Sequence, residues 1–500
     1  MRKSMKWVFA ALVIQTCVSG VVIGQEARRD SAGKEASLAL VETNREDEPR
    51  ATPLTRDAMK QYLEDLKTRK PRIPLPALTE EEAKNGASDP RALGYESRIR
   101  SLYIGENSVG SYLAFGGPPA SANSASTSSI RRALGAPDPL ISLDYGFKVR
   151  LFWLAARANN CQYCLGHQES KLLVAGMSED EIAALDSDWE YFPEKERVAF
   201  ALARTLTGEP HLMDDALIDA CKKFYSDQQL VEMMGAIAGY NAINRWKEGA
   251  GVPQSHNGGN FGSQGNAPSG AVDLDAHSYL TPTSDKYRSR ISRVVGIGQS
   301  KRGDLAPTVL KRPPLETGEA LKQKLDWVSK RSSRVALVDE SAVREAFGDL
   351  VPEGKVPAWM RLVAHFPVSG KRFVESMVSL KRLDELSPAL QSEIDWVVAR
   401  QDRAWYAAKR ALEDMQKCGV REEVIAELDL DPLPTSVISE KDKALLVVAK
   451  NLAGSPIVLT DSQVQKAVDL AGPRAVTQVI HYTANRAAFN RLTEGALLSD

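Results

Sequence analysis

The sequence predicts an all-α protein made of two tandem copies of one helical domain, packed as a pseudo-symmetric pair. Two segments carry apolar residues at helical spacing: "EKERVAFALARTL" from Glu194 and "EKDKALLVVAKNL" from Glu440. Alternating strand patterns are scarce. The breaks are short Gly or Pro turns beside helix-capping residues, such as Ser178 before "EDEIAAL" and Asp461 before "SQVQKAVDL". Three sequence matches also recur in the same order, which sets the copies at 53–250 and 315–498. Each copy is expected to hold five to eight helices.

The chain of 500 residues allows two or three domains of about 100–200 residues each. A net charge of −1 gives no reason to expect nucleic acid as a partner. Five cysteines in this length exclude a scaffold built on disulfides. At the N-terminus, "MRKSMK" supplies positive charge and "WVFAALVIQTCVSGVVIG" an apolar run ending in small residues. Residues 1–25 therefore read as an export signal, with an uncleaved membrane anchor as the alternative. Cys17 leaves with a cleaved signal. Residues 26–52 are charged and lack apolar periodicity, as in a disordered leader.

The first match pairs "KQYLEDLKTRKPRIPL" from Lys60 with "KQKLDWVSKRSSRVAL" from Lys322. The second aligns the segments from Trp153 and Trp396 without a gap. The third pairs Asn244-Arg245 with Asn485-Arg486. A Gly-, Ser- and Asn-rich stretch, 251–314, separates the copies and reads as a flexible linker. Copy one carries extra length, most simply as a loop from Gly116 to Ile130.

The chemistry concentrates in "ANNCQYCLGHQ". Residues three apart share a helix face, so Cys161 can meet Cys164, and Cys164 can meet His167. A helix starting near Asn159 or Asn160 would put Cys161 in its first turn, where unpaired N–H groups stabilise a thiolate. His167 could move a proton or hold a thiolate as an ion pair. Covalent haem would need His directly after the second cysteine, and Leu165 stands there. Zinc would need a fourth ligand, and inert buried cysteines are the structural alternative. In copy two the three positions are Ala404, Ala407 and Arg410, while Trp396 and Tyr406 persist. Chemistry is therefore expected in copy one only. No metal and no cofactor is expected.

"CQYCLGH", preceded by "RIPLP" and followed by "EKERVAFALARTLTGEP" and "GYNAINRW", resembles the AhpD-like, carboxymuconolactone decarboxylase superfamily. The resemblance spans nearly all of copy one and, more weakly, copy two. It implies an all-α fold, a homo-oligomer, and a thiol peroxidase or disulfide oxidoreductase taking a peroxide or disulfide substrate and a thiol reductant; the N-terminal run adds that the enzyme is exported. It also implies Cys164 as the attacking thiol, Cys161 as the resolving one and His167 in the proton relay. Decarboxylation is the weaker implication, because the decarboxylases lack the cysteine pair. Two positions depart from the family. His167 follows the second cysteine by three residues rather than four, and Val149 stands where the relay Glu is usual. Glu169 and Asp144 are the nearest substitutes. A binding or structural protein that kept the fold is the alternative function.

Cys221 and Cys418 read as buried or idle, and His481 as a core or capping histidine. Arg245 and Arg486, with Asn244 and Asn485, are expected to fix the last helix of each copy. Tyr240 and Asn241 are candidates for a pocket beside the thiols.

Overall fold

The computed structural model describes residues 49, 52–53, 56–88, 93–105, 112, 114–117, 138–174, 177–187, 189–253, 310, 312–434 and 438–499. The expected export signal and most of the segments read as leader, 116–130 loop and linker lie outside them. The described residues form eighteen α-helices and no strand. Nine fall in the first half: α1 Arg56–Asp65, α2 Glu80–Ser88, α3 Tyr95–Tyr103, α4 Tyr145–Asn159, α5 Gln162–Val174, α6 Glu179–Ser187, α7 Glu194–Gly208, α8 Asp215–Lys222 and α9 Asp227–Ala250. Nine fall in the second: α10 Gly318–Val328, α11 Glu340–Phe347, α12 Ala358–Val363, α13 Pro367–Ser379, α14 Pro388–Asp402, α15 Trp405–Lys417, α16 Glu422–Leu428, α17 Glu440–Leu452 and α18 Asp461–Gly495. The expected five to eight per copy was too few, because several are short helices that periodicity over a long window does not resolve.

The helix starts follow local chemistry. Ser178 caps α6 as expected: its Oγ accepts Glu181 N–H, and Glu181 accepts Ser178 N–H in return. For α18 the cap is Thr460, one residue before the expected Asp461. That helix kinks at Gly472, whose φ of 84° suits a residue without a side chain, and Pro473 follows without an N–H to donate.

Residues of both halves fall in one compact unit. In the first half, α4 packs on α5, α7 and α9; in the second, α14 packs on α15, α17 and α18. The longest contact joins the halves, α9 against α18. Glycine allows that approach: a Cβ at Gly249 would stand 2.6 Å from Ile480 Cγ2, and one at Gly495 3.3 Å from Met234 Sδ. Polar contacts cross the same boundary. Arg72 reaches Asp461 and the Leu459 carbonyl, and Tyr112 Oη lies 2.6 Å from His481 Nδ1.

The third sequence match needs correcting. Asn159 Nδ2 donates to Asn244 Oδ1 at 2.7 Å, and Arg245 lies beside Asn159 and Asn241. The residues with matching contacts in the second half are Asn490 and Arg491, which bond Asp402 at 3.0 and 2.9 Å. Asn485 and Arg486 do other work: Arg486 pairs with Asp395 at 2.6 Å, and Asn485 bonds Ser376 and the His481 carbonyl. The segments "NRWKEGA" from Asn244 and "NRLTEGA" from Asn490 are the ones that make matching contacts.

Candidate active site

The cysteine pair sits on a tight turn between α4 and α5. Asn159 and Asn160 do not start the second helix, as the sequence suggested; they end the first. Asn160 takes a left-handed conformation (φ 61°), which asparagine tolerates well, and Cys161 N–H closes the turn onto the Ala156 carbonyl at 2.9 Å. α5 then begins at Gln162, which makes Cys161 its N-cap. The Cys161 carbonyl accepts Leu165 N–H at 2.9 Å, and its Sγ accepts Cys164 N–H at 3.3 Å. Cys161 and Cys164 stand at disulfide distance with Cα atoms 5.4 Å apart, and both are buried.

Three separate segments hold this turn. Thr52 donates its N–H and its hydroxyl to Asn160 Oδ1. Asn241 and Asn244 of α9 accept from Asn159 Nδ2. From the second half, Ser455 Oγ donates to Asn159 Oδ1, and Ile457 N–H reaches the Asn159 carbonyl at 3.1 Å. At the start of α5, Gln162 N–H donates to Glu248 Oε1 at 3.1 Å, and Arg69 holds the other carboxylate oxygen at 3.0 Å.

His167 lies one turn along α5, stacked parallel to Tyr163 with ring centres 5.6 Å apart. Burial pushes its pKa well below the usual 6.5, and Lys171 and Lys247 add to that. The imidazole is therefore neutral near pH 7 and suited to accept a proton, rather than to pair with a thiolate as a cation. Burial lowers Lys171 to about 8; its Nζ lies 3.4 Å from Tyr145 Oη. Lys247 Nζ sits 4.2 Å from the Tyr163 ring centre and pairs with Glu96, which also accepts Trp246 Nε1 at 2.7 Å. Burial alone would raise Glu96, but Lys247 and Arg100 hold it near 2.

The substitutes for a relay Glu are committed elsewhere. Glu169 takes two bonds from Arg56, at 2.9 and 2.8 Å, and one from Trp153 Nε1 at 2.7 Å. Asp144 caps α4 through Phe147 N–H. Val149 is buried in the core. Cys221 is buried and its thiol is pushed up to about 12, whereas Cys418 is exposed rather than buried. His481 is a core histidine, lowered to about 3. Tyr240 stacks on Phe152 with ring centres 4.2 Å apart, and Asn241 reaches the cysteine turn only through Asn159. No group of three or more His, Cys, Asp or Glu among the described residues is arranged to hold a metal ion.

The second half repeats the backbone of this site without its chemistry. Arg403 is left-handed (φ 50°), Ala404 N–H closes onto the Ala399 carbonyl at 2.9 Å, and Trp405 N–H donates to Glu494 Oε2 at 3.0 Å. Arg331 holds the other Glu494 oxygen at 2.7 Å, as Arg69 holds Glu248. Ala404 offers no side-chain cap, and Arg410 lies over the Tyr406 ring at 5.7 Å. Sequence reasoning missed Arg69, Lys247 and Glu248. The echo of "NRWKEGA" in "NRLTEGA" would have marked Glu248 through Glu494.

No model of a known protein family matches this chain. No curated protein matches it either.

Proposed function

We propose that the chain is an exported thiol-dependent oxidoreductase of the peroxidase type, working through Cys161, Cys164 and His167. The observation that carries this reading is the cysteine pair at disulfide distance on a helix N-terminus, with a neutral imidazole one turn away. A thiolate attacks one peroxide oxygen, the O–O bond breaks, and the alkoxide leaves as an alcohol after taking a proton. The attacking sulfur is now a sulfenic acid. The second thiol gives its proton to His167 and attacks that sulfur; the hydroxide leaves with the proton as water, and the disulfide forms. An external thiol reductant returns both cysteines to the reduced state. Burial of both sulfurs favours a small peroxide over the disulfide of another protein. The motif likeness to AhpD-like proteins supports the same chemistry. The test is differential alkylation before and after peroxide, read by peptide mass spectrometry. Equal labelling of Cys161 and Cys164 with and without peroxide would refute it.

The second half is the degenerate copy, and the two halves make a pseudo-symmetric pair in which it covers a surface that would otherwise be exposed. The repeated turn, carboxylate and arginine at Glu248 and Glu494 support this. Residues 53–250 expressed alone would then aggregate or dimerise; a stable monomer would overturn the pairing. Export rests on the N-terminal apolar run, and N-terminal sequencing of the mature chain checks it.

A further inference from the structure

Resting on that thiol chemistry, the geometry points to Cys161, not Cys164, as the sulfur that attacks. Cys161 is the N-cap of α5, and its Sγ already accepts the Cys164 N–H at 3.3 Å. A thiolate there takes the Cys164 N–H and faces the positive end of the helix, both of which favour an anion. Cys164 lies inside the helix, where its own N–H is the donor in that bond. The two sulfurs are equally buried, so access does not separate them.

The carboxylate beside the turn is balanced by a partner. Glu248 brings a carboxylate to Gln162 N–H, but Arg69 is bonded to it and offsets its charge. The second half is an internal control. The same turn and the same carboxylate–arginine pair stand at Ala404, with no side-chain acceptor at the cap. Backbone and carboxylate therefore belong to the fold, and the capping sulfur, with Cys164 and His167, is what the first half adds. The assignment reverses the roles that the family resemblance implies. Cys161 becomes the sulfenic acid, and Cys164 is the thiol that His167 deprotonates, three residues along the same face.

The experiment uses the full chain with Cys161→Ser or Cys164→Ser, reduced and then treated with hydrogen peroxide and dimedone, which traps sulfenic acid. Competitive labelling of the unsubstituted reduced chain with limiting iodoacetamide, across pH, reads both cysteines without any substitution. Dimedone is expected on Cys161 in Cys164→Ser. Cys161 should alkylate at least roughly tenfold faster than Cys164 near neutral pH, a difference of about one pKa unit. Faster or equal labelling of Cys164, or trapping at Cys164 alone, overturns the assignment but leaves the peroxidase reading standing. Trapping at neither cysteine overturns both.

Discussion

Arg491 Nη1 lies 2.9 Å from Asp402 Oδ1, and neither side chain is exposed. Arg245 approaches the same carboxylate to 3.9 Å, with Asn490 and the Gly454 N–H completing its bonds. One buried negative charge thus serves two buried guanidinium groups, one from each half.

Asp402→Asn would leave Arg245 and Arg491 without their counter-charge. Removing one partner of a buried ion pair costs roughly 3–5 kcal/mol. Urea denaturation should show a loss of that size, and an unchanged midpoint would mean that the two arginines are balanced by other groups.

Gly249→Ala should destabilise the chain by about 1–3 kcal/mol, because the new methyl meets Ile480 Cγ2 at 2.6 Å and Leu452 Cδ2 at 3.1 Å. Ile480 is branched at Cβ and cannot swing aside freely. Gly495→Ala should cost less, since it meets the mobile ends of Leu206 and Met234. Thermal melts of the two variants compare them directly; equal stability to the parent chain in both would refute the close approach of α9 and α18.

His167→Ala should slow peroxide turnover by about 10²–10⁴-fold without abolishing it, the usual worth of positioned acid–base help. The double variant Cys161→Ser/Cys164→Ser should abolish turnover, since no thiol remains to attack the peroxide. Steady-state peroxide consumption with a small dithiol as reductant measures both. Full activity in either variant removes the substituted residue or pair from the mechanism.

Acid should destabilise the chain partly through His481. Burial first, and then Arg100, lower its pKa from 6.5 to about 3, while Tyr112, Asn485 and Trp246 surround the ring. Between those values the unfolded chain binds a proton that the folded chain refuses. The stability of neutral His481 is thus complete above about 6.5 and falls as pH drops toward 3. His481→Gln should reduce the slope of unfolding free energy against pH by up to roughly one proton in that window. His211, lowered to about 4, keeps part of the slope. An identical slope in the variant would show that His481 does not titrate with unfolding.

The helical class was legible because amphipathic periodicity is local. The segments from Glu194 and Glu440 each became one helix, α7 and α17. The pairing of Asn244-Arg245 with Asn485-Arg486 was misread because α18 is long and carries two Asn-Arg pairs; only the contacts with Asp402 show which pair matches.

The sequence by itself determined the helices, the Cys161–Cys164–His167 spacing on one segment and the presence of Ala404, Ala407 and Arg410 at the aligned positions of the second half. Those depend on residues a few positions apart. Tertiary structure alone decided that Asn160 ends α4 and that Cys161 caps α5. It also decided that Glu248, Ser455 and Ile457 grip the turn, and that His167 is neutral. Each of these depends on burial or on a partner from a distant segment, and neither desolvation nor a long-range hydrogen bond leaves a local pattern in the chain.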